Sequence, residues 1–288
     1  MNTTMFRRRK EDMLLPRRQR KGMYILPSLF TIGNLGAGFY AVLQAVQGTV
    51  GDPVHFDNAA IAIGFAVLFD GLDGTIARLT NTVSDFGREL DSLADVVTFG
   101  AAPAVLAWMW GFHTLPMDLD HEFRAKIVQL GAALCFLFLA AGAARLARFN
   151  IQVNPQPSNP GRPGKKYFVG MPIPGGAGCI AATVHFALGY PIVSWWLSIV
   201  WMAFVLVLAF LMVSTWRFWS AKSIDFRARH PFRLILLMGA VVALIWFFSR
   251  YVLFSVAMFY LLSGVLARLS FAVRRNPVPA APVENSSH

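Results

Sequence analysis

The chain has 288 residues, of which 56% are hydrophobic and only 14% charged, and its mean hydropathy is +0.52. A soluble domain carries about 25% charged residues, so this composition excludes an ordinary soluble globule. The net charge of +11 would suggest nucleic acid in a soluble chain, but here it must first be placed relative to a bilayer, and no nucleic-acid partner is expected.

The first 21 residues hold eight of the 26 Lys and Arg residues: Arg7, Arg8, Arg9, Lys10, Arg17, Arg18, Arg20 and Lys21. An apolar run of full spanning length follows, so the tract reads as a cytoplasmic arm (1–23) before an uncleaved first helix. Such a tract either sets topology alone or also attracts anionic headgroups. Apolar runs then recur at 24–46, 59–79, 88–111, 126–147, 174–190, 195–214, 233–249 and 251–269. Each approaches the ~20 residues a helix needs to cross a bilayer. The expected fold is all-α: a polytopic membrane bundle of about eight spans in one domain, residues 24–272, with a disordered tail at 273–288.

With the N-terminus inside, the outer segments and their edges hold only Arg124, Lys126 and Arg250. The other 23 basic residues fall on the cytoplasmic side, a strong positive-inside bias that places both termini in the cytoplasm. The last two runs are nearly continuous and must turn around Ser249-Arg250. The loop 150–176 is rich in Pro and Gly and reads as an irregular connection. The basic, aromatic stretch 217–233 suits the membrane interface. Trp108, Trp110, Trp195, Trp196, Trp216 and Trp219 lie near span ends, as an aromatic belt requires. Cys135 and Cys179 read as small core residues, and His185 as a hydrogen-bonded core residue.

One stretch breaks the apolar pattern: "FDGLDGTIARLTNTVSDFGRELDSLADVVTFG", residues 69–100. At 100° per residue, Asp70, Asp73, Gly74 and Ala77 share one arc of the second helix. Gly87, Asp91 and Asp95 form an i, i+4, i+8 stripe on the third. The polar segment 79–86 is short enough to make the two helices antiparallel neighbours, with Asp85 and Arg88 as solvated turn residues. The four carboxylates should therefore meet in a cleft near the cytoplasmic face. A central Asp costs about 2.5–3.5 kcal/mol to insert, and four such charges repel. Two divalent cations would balance them, and oxygen ligands suit Mg²⁺ or Mn²⁺. Gly74, Ala77 and Gly87 allow a bulky ligand close to the backbone, and Arg78 offers a fork to phosphate oxygens. Two other readings stand beside this one: small-residue helix packing with acids paired to Arg78 and Arg88, and a cation path in a transporter.

The full pattern is Asp70-x-x-Asp73-Gly74-x-x-Ala77-Arg78, eight residues, Gly87-x-x-x-Asp91-x-x-x-Asp95. This resembles, with no position missing, the signature of the CDP-alcohol phosphatidyltransferase family. Eight fixed positions match by chance on the order of 10⁻⁹ times per starting point. The stretches "LPSLFTIGNLGAGFYA" (26–41), "LDSLADVVTFGAAPA" (90–104), "ARLARFN" (144–150), "FVGMPIP" (168–174) and "LMVSTWRFWSAK" (211–222) are similar to the bacterial members that use serine. The resemblance spans roughly 24–233; the arm and the last two spans add little to it.

The resemblance implies a di-metal centre on Asp70, Asp73, Asp91 and Asp95, with Asp95 as general base. It implies a CDP site at Asp70, Gly74, Ala77 and Arg78. The implied substrates are CDP-diacylglycerol and L-serine, with CMP released. Another acceptor, glycerol 3-phosphate or inositol phosphate, is the alternative within the family. The resemblance also implies a homodimer in the plasma (inner) membrane. Thr31 and Asn34, i and i+3 on the first span, either line the same cleft or bond helix to helix. Arg145 and Arg148 either snorkel or hold an anionic substrate group, and Lys165 and Lys166 are lesser candidates for that role.

Overall fold

The computed structural model describes residues 25–80, 85–117, 119–151, 167–219 and 231–273. The arm, Lys165, Lys166 and the C-terminal tail lie outside the described residues. The first helices are α1 (Ile25–Gln47), α2 (Val54–Thr80) and α3 (Asp85–Asp95). Helix α3 continues through a π-helical stretch, Val96–Ala101, into α4 (Ala102–Trp108) and a second π-helical stretch, Met109–His113. These pieces make one rod, 85–113. After it come α5 (His121–Ile151), β1 (Tyr167–Val169), α6 (Ile173–Phe186), α7 (Trp195–Val213), β2 (Arg217–Trp219) and α8 (Pro231–Val273).

Six of these segments are long and apolar enough to cross a membrane: Leu29–Gln47, Val54–Gly71, Phe86–His113, His121–Ile151, Trp195–Val213 and Ala243–Phe271. Hydrocarbon leaves backbone groups no outside partner, and helices satisfy them internally. The protein is a helical integral membrane protein. Three of the expected spans take a different form. The run at 174–190 yields a helix of only 14 residues, about 21 Å at 1.5 Å per residue. The last two runs form one 43-residue element interrupted by non-helical geometry at Phe248 (φ −132°, ψ 33°), one residue before the expected turn.

The rod is the most buried of the six and forms the centre. Small residues let its neighbours close in, the usual device where lipid gives helices no hydrophobic drive to associate. A Cβ on Gly38 of α1 would fall 2.7 Å from the Cα of Thr98 in the rod. One on Gly142 of α5 would fall 2.6 Å from Ile173 Cδ1 at the start of α6. Between α1 and α2, Ala41, Ala45, Ala59 and Ala60 are fully or almost fully buried.

Contacts between loops define two ends of the bundle. At one, the backbone N–H of Ile192 donates to the Trp110 carbonyl (3.1 Å). There Thr114 Oγ1 also donates to the Ile192 carbonyl (3.3 Å). Gly189, in the left-handed region (φ 74°), packs against the Pro53 carbonyl, where a side chain would clash. His185 joins Asp57 Oδ1 (2.6 Å, through Nδ1) and Ser249 Oγ (3.0 Å, through Nε2), tying α2, α6 and α8 together. This is the hydrogen-bonded core role expected of His185. Cys135 and Cys179 are buried free thiols.

At the other end, β1 and β2 pair antiparallel with Phe168 opposite Phe218. Phe218 is fully buried. This short ribbon replaces part of the irregular and interfacial loops that composition suggested. Trp195 and Trp196 are exposed at the start of α7 and suit a belt. Trp110 does not: it is buried, edge-on to Trp201 with ring centroids 4.9 Å apart.

The Gly38 contact gives a stability test. Gly38→Val should destabilise the detergent-solubilised protein by about 1–3 kcal/mol in thermal unfolding, because the obstructing atoms include backbone. Gly36→Ala, with nothing within 4 Å of its added carbon, should stay within ~0.5 kcal/mol of the parent.

Candidate active site

Helices α2 and α3 leave and re-enter the same end of the bundle, and their acidic residues converge there. One carboxylate oxygen from each of Asp70, Asp91 and Asp95 lies within 4.8 Å of the other two. Asp95 is buried at 8% exposure, while Asp70 and Asp91 are half-buried. The i, i+4 spacing of Asp91 and Asp95 holds because α3 stays α-helical up to Asp95, and the wider π-helical turns begin at Val96. Asp73, Gly74, Ala77 and Arg78 fall on the last turns of α2, whose side chains lie outside the described residues. Gly87 is half-buried on α3, one turn before Asp91, and Arg88 beside it is exposed.

Helix α1 supplies the wall. Thr98 Oγ1 donates to the Asn34 carbonyl at 3.1 Å, which sets Asn34 beside the turn that follows Asp95. Helix α1 and the rod run parallel, so Thr31, three residues before Asn34, is level with Asp95 at 1.5 Å per residue. Thr31 is buried at 5% exposure and Asn34 at 0%. Neither Oδ1 nor Nδ2 of Asn34 has a hydrogen-bond partner among the described residues.

The end of α5 supplies the rim. It packs antiparallel to the rod: Trp108 Nε1 donates to the Val128 carbonyl (3.4 Å) and Asn150 Nδ2 donates to Ser92 Oγ (3.1 Å). Between these contacts, a Cβ on Gly100 would meet Leu139 Cδ1 at 2.8 Å. Arg145 falls between Leu139 and Asn150, so it is level with the interval that holds Asp95, and the two charges interact. Its Nε is buried without a partner among the described residues. Arg148 turns its Nη1 to the Val213 carbonyl (3.4 Å) at the end of α7. Of the two arginines, Arg145 is the one brought level with the acids.

Sequence reasoning gave no weight to Tyr260, which lies near Arg145. A lone phenol in an apolar span has no spacing pattern to mark it, and its place is set by how α8 packs on α6.

The residues present suit a divalent cation. Oxygen ligands around an octahedral ion of about 2.1 Å bond length sit roughly 3–4 Å apart, and the three carboxylate oxygens here lie within 4.8 Å of one another. Asp91 Oδ1 is buried and has no hydrogen-bond partner among the described residues, as a ligand atom reserved for a cation would be. Asp70, Asp91 and Asp95 could hold such an ion, and its charge would offset their mutual repulsion.

Over residues 24–198 the chain matches the CDP-alcohol phosphatidyltransferase family. It is 33% identical to the CDP-diacylglycerol–serine O-phosphatidyltransferase of Helicobacter pylori (strain ATCC 700392 / 26695) over 220 residues, which is 76% of this chain and 82% of that protein. The protein of the same name from Bacillus subtilis (strain 168) is 35% identical over 158 residues, 55% of this chain and 74% of its own. That of Methanocaldococcus jannaschii is 41% identical over 120 residues, 42% of this chain and 47% of its own.

Calorimetric titration of the purified protein with Mn²⁺ checks the cation site. Asp70→Asn and Asp91→Asn should each weaken binding by roughly tenfold or more, since each removes a charged ligand. Asp52→Asn, exposed near the far end of the bundle, should leave it unchanged.

Proposed function

The chain belongs to the CDP-alcohol phosphatidyltransferase family and is a membrane-integral phosphatidyltransferase, and from that premise we propose that it makes phosphatidylserine. The phosphatidyl group of CDP-diacylglycerol passes to the hydroxyl of L-serine, and CMP is released. The convergence of Asp70, Asp91 and Asp95 carries this reading, because it is the arrangement a nucleotide diphosphate needs. The choice of serine rests on the activity for which the relatives are named, several of them at 33–41% identity.

In this reading Asp70, Asp73, Asp91 and Asp95 hold two divalent ions, Mg²⁺ or Mn²⁺. Ions held by these residues would supply positive charge to bind the diphosphate and to offset the negative charge that develops on the leaving group. Asp70, Gly74, Ala77 and Arg78 receive the CDP group, with Gly87 keeping the facing helix low enough for it to enter. Asp95 accepts the proton from the serine hydroxyl. The serine oxygen then bonds to the phosphorus bearing diacylglycerol, and the bond from that phosphorus to the bridging oxygen breaks. Thr31 and Asn34 line the cleft from α1, where the unpartnered amide of Asn34 is free to meet a substrate. Arg145, with Arg148 nearer the rim, holds an anionic substrate group.

We further infer eight spans, counting α6 and the two halves of α8 separately. A 43-residue helix would be about 65 Å long against ~30 Å of hydrocarbon, so the break at Phe248 is where a reversal belongs. That count puts both termini in the cytoplasm of a plasma-membrane enzyme with its active site near the cytoplasmic face. A homodimer is the oligomeric state in keeping with the family. The same transfer to glycerol 3-phosphate or inositol phosphate is the alternative within the family, and a cation transporter built on the acid cluster is the alternative outside it.

One assay separates them. Purified protein with CDP-diacylglycerol and Mn²⁺ or Mg²⁺ should release CMP when offered serine, and far less with the other acceptors. Release with a different acceptor overturns the serine assignment, whereas metal flux into sealed vesicles without CMP release overturns the enzyme. Asp95→Asn should abolish turnover, by at least about 10²-fold, while the protein stays folded by its melting curve. Retained turnover would remove Asp95 as the base.

A further inference from the structure

The last helix lies outside the region matched to the family, which ends at residue 198. Its second half is nonetheless fixed against α6 along its length. His185 Nε2 meets Ser249 Oγ at 3.0 Å, and Cys179 Sγ lies 3.6 Å from the Ala257 carbonyl. Tyr260 Cε1 lies 3.0 Å from where a Cβ on Gly175 would stand. These three contacts set one antiparallel register, and it delivers Tyr260 to the N-terminal turn of α6. The same turn touches α5, since Ile173 packs against Gly142, three residues and one helical turn before Arg145. Phe218 of β2 also packs on the Tyr260 ring, with centroids 5.7 Å apart. Three helices thus bring a phenol and a guanidinium near one another, level with the stretch of the rod that holds Asp95.

Neither group satisfies the other. Arg145 Nε is buried and without an acceptor, and no hydrogen bond to the Tyr260 hydroxyl is formed among the described residues. A half-buried guanidinium whose Nε is enclosed without an acceptor calls for an anion. A carboxylate fits the pair: its two oxygens match the guanidinium fork, and a remaining lone pair accepts from the phenol O–H.

We propose that Tyr260, with Arg145, forms the pocket for the carboxylate of the acceptor amino acid, so that the last helix contributes acceptor selectivity to an active site otherwise built from the family core. This rests on the serine reading above and adds to it a named residue and a named group on the acceptor.

The test is Tyr260→Phe, which removes the hydroxyl and keeps the ring against Gly175 and Phe218. Steady-state CMP release is measured against serine and against ethanolamine, which lacks the carboxylate, and also against CDP-diacylglycerol. The KM for serine should rise about tenfold or more, as the loss of a hydrogen bond to a charged group implies. The KM for CDP-diacylglycerol should not move, and the preference for serine over ethanolamine should shrink by the same factor. Arg145→Lys should show the same pattern. An unchanged serine KM in Tyr260→Phe overturns the proposal, and a raised KM for the lipid alone assigns the pair to the lipid phosphate instead. If Tyr260→Phe loses all turnover, a serine-dependent rise in melting temperature equal to the parent's would equally overturn it, and an absent rise would support it. A parent protein that releases no CMP with serine removes the serine reading itself, an outcome distinct from any change between parent and variant.

Discussion

Like charges brought together in a poorly solvated place set the terms for the rest of this molecule. Two carboxylates with oxygens about 5 Å apart repel by about 3 kcal/mol at an effective dielectric constant near 20, and the oxygens of Asp70, Asp91 and Asp95 all lie within 4.8 Å of one another. No stability argument explains gathering them on two apolar helices. The bundle tolerates them because its other interactions are cheap and numerous: alanine faces between α1 and α2, a glycine of α1 laid on Thr98, and a rod buried by its neighbours. A divalent cation would turn the repulsion into a binding site, and the same cation would suit a diphosphate.

The bundle treats its two polar ends in opposite ways. At the end opposite the acids, His185 uses both ring nitrogens, one on Asp57 and one on Ser249, so a part-buried polar group is fully employed in joining three helices. At the acid end, Asn34 leaves both amide atoms unpartnered, as do Asp91 Oδ1 and Arg145 Nε among the described residues. Buried polar atoms are rarely left in that state. Trp110 Nε1, at the end opposite the acids, is also unpartnered among the described residues, so the contrast is one of charged and amide groups: at the acid end these are left open to something the protein binds.

Much of this was legible in the sequence because membrane helices obey few rules. Apolar runs had to be helices, and the spacing Gly87, Asp91, Asp95 had to be a stripe. Acids on two helices joined by a short polar segment had to face each other. The role of His185 followed from its place in an apolar run. What failed to show was long-range packing. The short length of α6, the pairing of Tyr167–Val169 with Arg217–Trp219 and the burial of Trp110 depend on neighbours that hydropathy does not see. Tyr260 reaches the site only through the register between α6 and α8, which no local pattern encodes.

The π-helical stretch directly after Asp95 has a consequence for the portability of this chemistry. Its wider turns, with the Ala102 N–H bonded to the Val97 carbonyl, shift the angular phase of the helix between its acidic and apolar halves. The stripe that aims the aspartates and the stripe that packs Phe99, Ala102 and Leu106 are therefore out of step. An engineer grafting the acidic segment onto a foreign scaffold would have to bring residues 96–101 with it. Without that phase correction, a continuous α-helix could orient its carboxylates or seat its core, but not both.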